Sequence, residues 1–345
     1  MNYVKIKELI SSEDLIKQRP LSTENALSIL QHRKEIKAIL DGRDNRKLII
    51  VGPCSAWPKE AVIEYANRLA MLNTRVKHAL KIVMRVYPQK PRTLLGWSGA
   101  VFQPDPFTPV DINEGMQYTR DMIMRVIELD LPVAAEALYT HFQDCYLELL
   151  SWVAIGARSS ENQEHRVFAS AVDIPIGMKN PTHGSINIAL NSVIAAQNPH
   201  PAIFNGYESR TLGNPYAHLV LRGGDNKPNF SNENLDEVNQ IIKKHPIMNP
   251  AVIIDVNHDN SIIDDVRDYR QQPESIFRIL ESLSKRSELE NLVKGFMIES
   301  FIKDGNQALD QVSPSTIDLG GLSLTDPCIG WEGTERLILS LALVP

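Results

Sequence analysis

Short apolar runs alternate with amphipathic stretches along most of the chain. Eight runs have the length and β-branched content of buried strands, at residues 48–52, 82–85, 132–136, 153–157, 174–179, 218–222, 251–255 and 295–299. Stretches with the apolar spacing of helices lie between most of them, at residues 60–72, 115–129, 142–150, 186–197, 232–244 and 274–284. Apolar strands separated by helices predict a parallel sheet. Eight of them in 345 residues predict an α/β fold with a single closed (β/α)8 TIM barrel rather than an open doubly wound sheet.

The first run is preceded by residues 1–46, which we interpret as an N-terminal extension to a catalytic barrel of residues 47–345. Ser22 and the residues after it form a helix-capping pattern, the apolar spacing continues to Leu40, and Gly42 is a stop signal. Residues 4–7 alternate like a short strand. Because no partner strand lies near them in sequence, we expect this segment to contact another subunit or to be a mobile terminus.

Composition and charge narrow the class of protein. Hydrophobic residues make up 43% and charged residues 23%, which is ordinary for a globular protein. The net charge of −6 argues against non-specific binding to nucleic acid or to anionic membranes. Three cysteines do not form a disulfide framework, and no apolar signal core or run of about 18 apolar residues is present. We therefore expect a cytoplasmic protein with no membrane or nucleic-acid partner.

Chemically active side chains follow every predicted strand. The carboxyl ends of barrel strands carry the catalytic groups of TIM-barrel enzymes. The residues at or just past these ends are Cys54, Arg85, Glu136, Arg158, Lys179, Arg222, His258 and Glu299. Eight such residues in register predict one functional site at the barrel mouth.

One part of this set is cationic. Arg85, Arg158, Lys179 and Arg222 are joined by Lys90 and Arg92, which lie on a loop stiffened by prolines. Cations gathered around one mouth repel one another unless anions bind there, so phosphate and carboxylate groups are the expected ligands. The alternatives are a solvated basic turn after the second strand, and pairing of these cations with Glu136, Glu161 or Asp255.

The other part is a candidate metal site made of Cys54, His258, Glu299 and Asp326. A thiolate, an imidazole and two carboxylates suit one divalent ion, and Mn²⁺, Fe²⁺, Co²⁺ and Zn²⁺ all remain open. Taken singly, the cysteine could be a buried apolar residue, the histidine a surface residue, and Asp326 a helix cap.

At these residues the chain resembles class I 3-deoxy-D-arabino-heptulosonate-7-phosphate (DAHP) synthases, and more closely the bacterial type regulated by aromatic amino acids. The resemblance extends from about residue 6 to residue 341. The matching motifs include Val51-Gly52-Pro53-Cys54-Ser55, Met84-Arg85-Val86-Tyr87, Lys90-Pro91-Arg92-Thr93, Lys179-Asn180, Leu221-Arg222-Gly223-Gly224, Glu299-Ser300 and Thr325-Asp326.

The resemblance implies a reaction in the shikimate pathway of aromatic amino acid biosynthesis. Phosphoenolpyruvate condenses with erythrose 4-phosphate to give the seven-carbon keto-acid phosphate and inorganic phosphate. Phosphoenolpyruvate would be bound by Arg85, Lys90, Glu136, Arg158, Lys179 and Arg222. Erythrose 4-phosphate would be bound by Lys90, Pro91, Arg92, Thr93 and Asp326. The metal would be held by Cys54, His258, Glu299 and Asp326, and the catalytic residues would be Lys179, His258, Asp326 and Cys54. Relatives also join subunits through their N-terminal segments, which implies a homodimer or homotetramer.

The chain departs from the family pattern in four places. Pro181 replaces a usual glycine, and Ser98 replaces a usual lysine. The metal histidine is flanked by Asn257 and Asp259 instead of serine and alanine, so we expect Asp259 to alter metal affinity or preference. The segment between Ile203 and His218, which helps to bind the feedback inhibitor in regulated relatives, is shorter. We therefore expect feedback control to be weak or altered.

Two other functions fit part of the pattern. The related octulosonate 8-phosphate synthases share the barrel, the donor and similar metal ligands, but they accept arabinose 5-phosphate; Lys90-Pro91-Arg92-Thr93 favours the four-carbon acceptor. A paralogue that binds sugar phosphates without turnover is the alternative outside catalysis, although none of the expected ligands or cations is missing.

Overall fold

A computed structural model describes residues 1–92, 95–204, 206–263 and 265–344. Eight parallel strands close into a barrel. They are β1 Lys47–Gly52, β2 Leu80–Arg85, β3 Val133–Glu136, β4 Trp152–Ile155, β5 Ile176–Lys179, β6 Ala217–Leu221, β7 Val252–Asp255 and β8 Val293–Glu299. Neighbours in sequence are neighbours in the barrel, and β1 pairs with β8 to close it. The predicted (β/α)8 barrel is confirmed, with a strand at each of the eight apolar runs.

Helices surround the barrel, with bounds α1 Ser12–Gln18, α2 Thr23–Leu40, α3 Lys59–Val76, α4 Ile112–Ile127, α5 Gln163–Ala171, α6 Ile186–Gln197, α7 Asn232–Lys244, α8 Gln272–Leu283, α9 Ser287–Leu292 and α10 Trp331–Leu341. The predicted cap of α2 is confirmed, because the Ser22 hydroxyl accepts the Asn25 N–H. Ser231 and Asn234 form a full capping box at the start of α7. These side chains satisfy backbone donors that the first helical turn leaves without partners.

The predicted helix over residues 142–150 is wrong. This segment forms two short 3₁₀ turns, Thr140–Cys145 and Leu147–Leu149. Arginine side chains, rather than backbone N–H groups one turn ahead, satisfy several of its carbonyls. Arg33 donates to the carbonyls of Glu148 (3.0 Å) and Leu150 (2.8 Å), and Arg120 donates to that of Cys145 (3.0 Å). An amphipathic pattern cannot reveal such side-chain partners.

The helix α2 closes the amino-terminal end of the barrel. Ile36, Ile39 and Leu40 are at most 1% exposed and belong to the same apolar cluster as side chains inside the barrel, including Trp152 and Met297. A second and larger cluster fills the layer between the strands and the outer helices. The barrel is therefore packed from its floor up to Tyr87, which lies just below the mouth.

Two antiparallel hairpins project from the barrel. Pro201–Phe204 pairs with Tyr207–Arg210, and most of its residues are exposed. The segment after Ile203 therefore retains a hairpin despite the shortening inferred from the sequence. Ile262–Ile263 pairs with Val266–Arg267 on the β7 side of the mouth.

Residues 1–11 form neither helix nor strand, and Tyr3, Val4 and Ile6 are exposed. The strand and the subunit contact expected for this segment stay predictions. Among the described residues, no helix combines the length and apolar content needed to cross a membrane.

Candidate active site

A cavity of about 470 Å³ opens at the carboxyl ends of the strands. Most residues predicted to bind substrate line it. These are Arg85, Lys90, Pro91, Arg92, Glu136, Arg158, Lys179, Arg222 and Asp326, and the predicted metal ligands His258 and Glu299 line it as well. Thr93, also predicted to bind erythrose 4-phosphate, lies outside the described residues. The parallel strands bring these distant segments together, because most of the residues sit at or soon after a strand end, while Asp326 lies on the long loop between β8 and α10.

Arg85 is the most deeply buried cation of the cavity. It ends β2, and its Nη2 donates to Glu299 Oε1 at 2.8 Å, with both side chains 1% exposed. Its guanidinium lies 4.3 Å from the centre of the Tyr87 ring. Burial acts to lower the pKa of Arg85, but Glu299 raises it well above its usual value, so the guanidinium stays charged. Its Nε and Nη1 have no hydrogen-bond partner among the described residues. Buried donors without partners are costly, so they mark a place for an anion.

Lys90 connects the loop that carries Lys90 and Arg92 to Cys54. Its Nζ donates to the Cys54 carbonyl at 2.8 Å and lies 3.1 Å from Cys54 Sγ. Burial acts to lower the pKa of Lys90, but the nearby Cys54 and Glu299 raise it above its usual value. The loop is held by the Lys90 N–H, which donates to the Ser98 carbonyl at 2.9 Å. Ser98, which stands where the family usually has lysine, therefore makes this contact through its backbone carbonyl, as any residue at this position could.

Three predicted metal ligands lie together. Potential ligand atoms of Cys54, Glu299 and Asp326 are all within 4.8 Å of one another. The Cys54 thiol donates to Asp326 Oδ2 at 3.5 Å. Burial, with Glu299 nearby, raises the pKa of the thiol to about 12. Asn257 donates to Glu299 Oε2. The side-chain amide of Asn257, where the family usually has serine, thus orients the candidate metal ligand Glu299, as groups next to metal sites commonly do.

His258 lines the same cavity but stands apart from that group of three. Its backbone has a φ of +54°, and its Nδ1 lies 3.0 Å from Asp255 Oδ2. Asp255, at the end of β7, is fully buried and also accepts from Lys179 Nζ at 2.7 Å. Burial acts to raise the pKa of Asp255, but the charges of His258 and Lys179 hold it well below its usual range. Asp255 therefore connects the two groups predicted to move protons.

Glycine and asparagine residues shape the walls of the cavity. A Cβ on Gly156 would lie 1.9 Å from Glu136 Oε1, so only glycine allows this carboxylate its position. Asn180 Oδ1 accepts from the Arg222 N–H at 2.8 Å, while Asn180 Nδ2 donates to the Pro181 and Gly223 carbonyls at 2.8 Å each. These bonds hold the loops after β5 and β6 together. Pro181, which stands where the family usually has glycine, takes part through its backbone carbonyl.

Sequence reasoning missed several residues of the site. Asp255 was considered only as a possible ion-pair partner, although its place at a strand end was a usable signal. Tyr87 and Thr325 lie within matched motifs but were given no role. Arg267 also lines the cavity, and no motif or strand end pointed to it. The structure places Asp259 beside Arg222 and Arg267, whereas the sequence suggested an effect on the metal.

Fold and site together define a TIM-barrel enzyme with a cation-lined mouth and a cluster of candidate metal ligands. Comparison with known proteins specifies this class further. A family model described as the DAHP synthetase I family matches residues 20–338. The chain belongs to this family, and the expectation of an enzyme of the DAHP synthase class is confirmed.

Relatives of the chain are similar over nearly their whole length. A phospho-2-dehydro-3-deoxyheptonate aldolase of Corynebacterium glutamicum is 40% identical, over 98% of this chain and 92% of the relative. The Phe-sensitive enzyme of that name from Escherichia coli is 38% identical, over 98% and 94%. A solved structure of the aldolase from Francisella tularensis superimposes with a TM-score of 0.89 at 36% identity, covering 99% of this chain and 98% of that one.

Proposed function

We propose that the chain condenses phosphoenolpyruvate with erythrose 4-phosphate to give DAHP and inorganic phosphate, the first step of the shikimate pathway. The observation that carries this proposal is the cavity, in which buried cations from several strand ends surround a space of about 470 Å³. Both substrates are phosphate esters, and phosphoenolpyruvate also carries a carboxylate. Several separate cationic partners suit such a pair of ligands.

Arg85, Arg158, Lys179 and Arg222 bind phosphoenolpyruvate, with Lys90 and Glu136 completing its site. Arg85 supports this role because two of its buried nitrogens have no hydrogen-bond partner in the part of the chain that the structure describes. Lys90, Pro91, Arg92, Thr93 and Asp326 bind erythrose 4-phosphate and direct its aldehyde toward the enol carbon. Substrates held in this way react as if in one molecule, which supplies much of the rate enhancement.

The bond changes follow from this placement. C3 of phosphoenolpyruvate attacks the aldehyde carbon to form the new C–C bond, and water adds at C2. The resulting hemiketal phosphate breaks its C–O bond and releases phosphate. Lys179 Nζ supplies a proton to the aldehyde oxygen, and the proton that the attacking water loses passes to solvent, while His258 serves as a metal ligand. Asp255 supports both roles because it lies within hydrogen-bond distance of each group.

One divalent metal ion fits the donor set of Cys54, Glu299 and Asp326, with His258 as the fourth ligand. Sulfur and carboxylate donors at one point suit Mn²⁺, Fe²⁺, Co²⁺ or Zn²⁺. When bound, such an ion acts as a Lewis acid toward the acceptor aldehyde. Asn257 and Lys90 orient the ligand atoms of Glu299 and Cys54 through their hydrogen bonds.

Phosphate release tests the proposal directly. The protein is assayed with phosphoenolpyruvate and either erythrose 4-phosphate or arabinose 5-phosphate, with Mn²⁺ and with a chelator. We expect turnover with the four-carbon sugar only, lost with chelator and restored by the metal. Turnover with arabinose 5-phosphate would favour the octulosonate activity. Turnover with neither sugar in metal-loaded protein would contradict the proposal.

We also propose weak or altered feedback control. The support is the short segment after Ile203, although it still forms an exposed hairpin. Initial rates with phenylalanine, tyrosine or tryptophan test this expectation, and tight inhibition by any of them would contradict it.

Assembly and location form a separate proposal. We propose a cytoplasmic homodimer or homotetramer that uses residues 1–46 as a subunit contact. The exposed apolar side chains Tyr3, Val4 and Ile6 support an interface there. Light scattering of the full chain and of a chain lacking residues 1–10 would measure the contribution of this segment. An unchanged mass after truncation would contradict it.

A further inference from the structure

Asp259 is a buried carboxylate placed between two arginines. It directly follows His258 and is 4% exposed. Its Oδ2 lies 3.4 Å from Arg222 Nη1, and its Oδ1 accepts from Arg267 Nη2. Burying a carboxylate is costly unless charged partners compensate it. The two guanidinium groups provide that compensation, so Asp259 is part of an arginine pair and not a ligand of the cysteine cluster.

The backbone around Asp259 is built for this contact. Gly223, directly after Arg222, has a φ of +74°, and a Cβ there would lie 2.7 Å from the Asp259 Cβ. Glycine at this position lets the loops after β6 and β7 approach closely. On the other side, the Asp268 N–H donates to the Ser261 carbonyl at 3.0 Å, and the hairpin pairs Ile262 with Arg267. Asp259, Arg222 and Arg267 therefore lie on segments held by backbone contacts.

Arg267 reaches the cavity from its rim. Its side chain is 50% exposed, and it lines the same cavity as Arg222. A guanidinium carries five N–H donors, and Asp259 contacts one nitrogen of each arginine. The other donors remain able to meet a phosphate, which arginine binds in a forked geometry.

We propose that Arg267 is a further phosphate-binding residue of this cavity and that Asp259 is the positioning residue that holds it beside Arg222. The ligand is the phosphate monoester group of one of the two substrates. This inference deepens the proposed function and rests on it. Asp259 stabilises the arginine pair before the substrate binds, so less order has to be created on binding.

The test compares Arg267→Gln and Asp259→Asn with their double variant. Arg270→Gln is the matched control, because Arg270 is three residues away, is exposed, pairs with Asp268 and does not line the cavity. KM for each substrate and kcat are measured separately. Titration with inorganic phosphate, followed by calorimetry, adds a readout that does not depend on turnover. It keeps a failure of this inference distinct from a failure of the proposed reaction.

We expect Arg267→Gln to raise KM for one substrate about tenfold, the usual loss when a charged hydrogen bond to a ligand is removed, with little change in kcat. The substrate affected identifies the phosphate. Asp259→Asn should raise the same KM by a similar factor, the double variant should add little, and Arg267→Lys should recover part of the loss. Binding of inorganic phosphate should weaken in parallel, and Arg270→Gln should behave as the parent.

Two outcomes would overturn the inference. The first is an Arg267→Gln variant with unchanged KM values and unchanged phosphate affinity. The second is tighter binding in Asp259→Asn, which would mean that the carboxylate competes with the phosphate instead of positioning the arginine. Because Arg267 is half-exposed, its variants should fold, and thermal unfolding of each variant checks this.

Discussion

The two ends of the barrel use charge in opposite ways. At the floor, Glu35 of α2 lies 2.9 Å from Lys81 and 3.0 Å from Arg46, so the buried Lys81 has a carboxylate partner. At the mouth, cations from several strands surround an open cavity, and two buried nitrogens of Arg85 find no partner in the described ranges of the chain. The Lys81 charge at the floor is met by a protein carboxylate, whereas the mouth also keeps donors of Arg85 that no described residue meets. A difference of this kind separates structural from functional charge in one molecule.

The two ends of the barrel also differ in packing, because the floor is filled by apolar side chains and the mouth is an open cavity. Apolar side chains of α2 close the floor, and the core continues upward to Tyr87. Changes at the mouth should therefore reduce activity with little loss of fold, and changes at the floor should reduce stability with little loss of activity in the folded fraction.

The largest expected effect is at the mouth. Lys179→Met preserves the length of the side chain but removes the proposed acid, so we expect kcat to fall about 10²–10⁴-fold. Steady-state kinetics measure the loss, and circular dichroism confirms the fold. The control is Lys285→Met, an exposed lysine paired with Glu281, which should leave kcat unchanged. Near-normal kcat in Lys179→Met would remove Lys179 from the mechanism.

The second effect is at the floor. Ile36→Ala creates a cavity under the barrel and should lower the free energy of unfolding by about 2–5 kcal/mol. Denaturant titration measures it, with Leu27→Ala as the control, since Leu27 lies on the same helix but is 63% exposed. If Ile36→Ala unfolds like the parent, α2 does not close the barrel in solution. The KM of the folded fraction should not change.

The third effect concerns pH and the interior of the barrel. His218 Nε2 accepts from Trp152 Nε1 at 3.2 Å and its Nδ1 donates to the Tyr216 carbonyl at 2.9 Å, so the neutral ring satisfies both contacts. Burial lowers the pKa of His218 to about 4 from 6.5. Between these values the unfolded chain binds a proton that the folded chain does not, so stability should fall as pH drops from 6.5 to 4, by at most about 3 kcal/mol.

Unfolding titrations at several pH values across that window test this expectation. The pH dependence of His218→Gln should be shallower than that of the parent, and His245→Gln, at an exposed histidine, should match the parent. Equal slopes for all three proteins would show that His218 does not set the acid sensitivity.

The smallest effect is at the edge of the floor. Burial acts to raise the pKa of Glu35, but Lys81 and Arg46 lower it to about 2 from 4.5. The stabilisation is thus present above pH 4.5 and is lost as pH falls toward 2. Since Glu35 is partly exposed to solvent, Glu35→Gln should cost no more than about 1 kcal/mol at pH 7. The free energy of unfolding of this variant and of the parent, measured at pH 7 and at pH 3, tests this expectation. A stability loss that is larger at pH 3 than at pH 7 would contradict it.

Local patterns predicted the barrel well because each of its strands contains a short apolar run. They also located most of the mouth, since the carboxyl end of each run carries a polar side chain that the closed sheet brings to one place. They did not predict that α2 packs beneath the barrel. Its outward positions include Leu27 and Leu30, so the helix has no clean polar face to indicate which side is buried.

The rest depended on contacts between distant segments. Residues 142–150 form 3₁₀ turns instead of the expected helix, and carbonyls of this segment accept hydrogen bonds from Arg33 and Arg120. Arg267 and Asp259 meet because of a hairpin and a close approach at Gly223, neither of which leaves a periodic signal. Sequence periodicity reports the burial of single elements, and it carries little information about pairing across loops.

The helix α2 has a consequence for how the chain folds during synthesis. Its residues leave the ribosome before any barrel strand, yet their burial site includes Met297 of β8, the last strand. The apolar side chains of α2 therefore stay exposed to solvent until almost the whole chain has left the ribosome. Such long-range closure makes folding slow and cooperative, and it gives chaperones an early target.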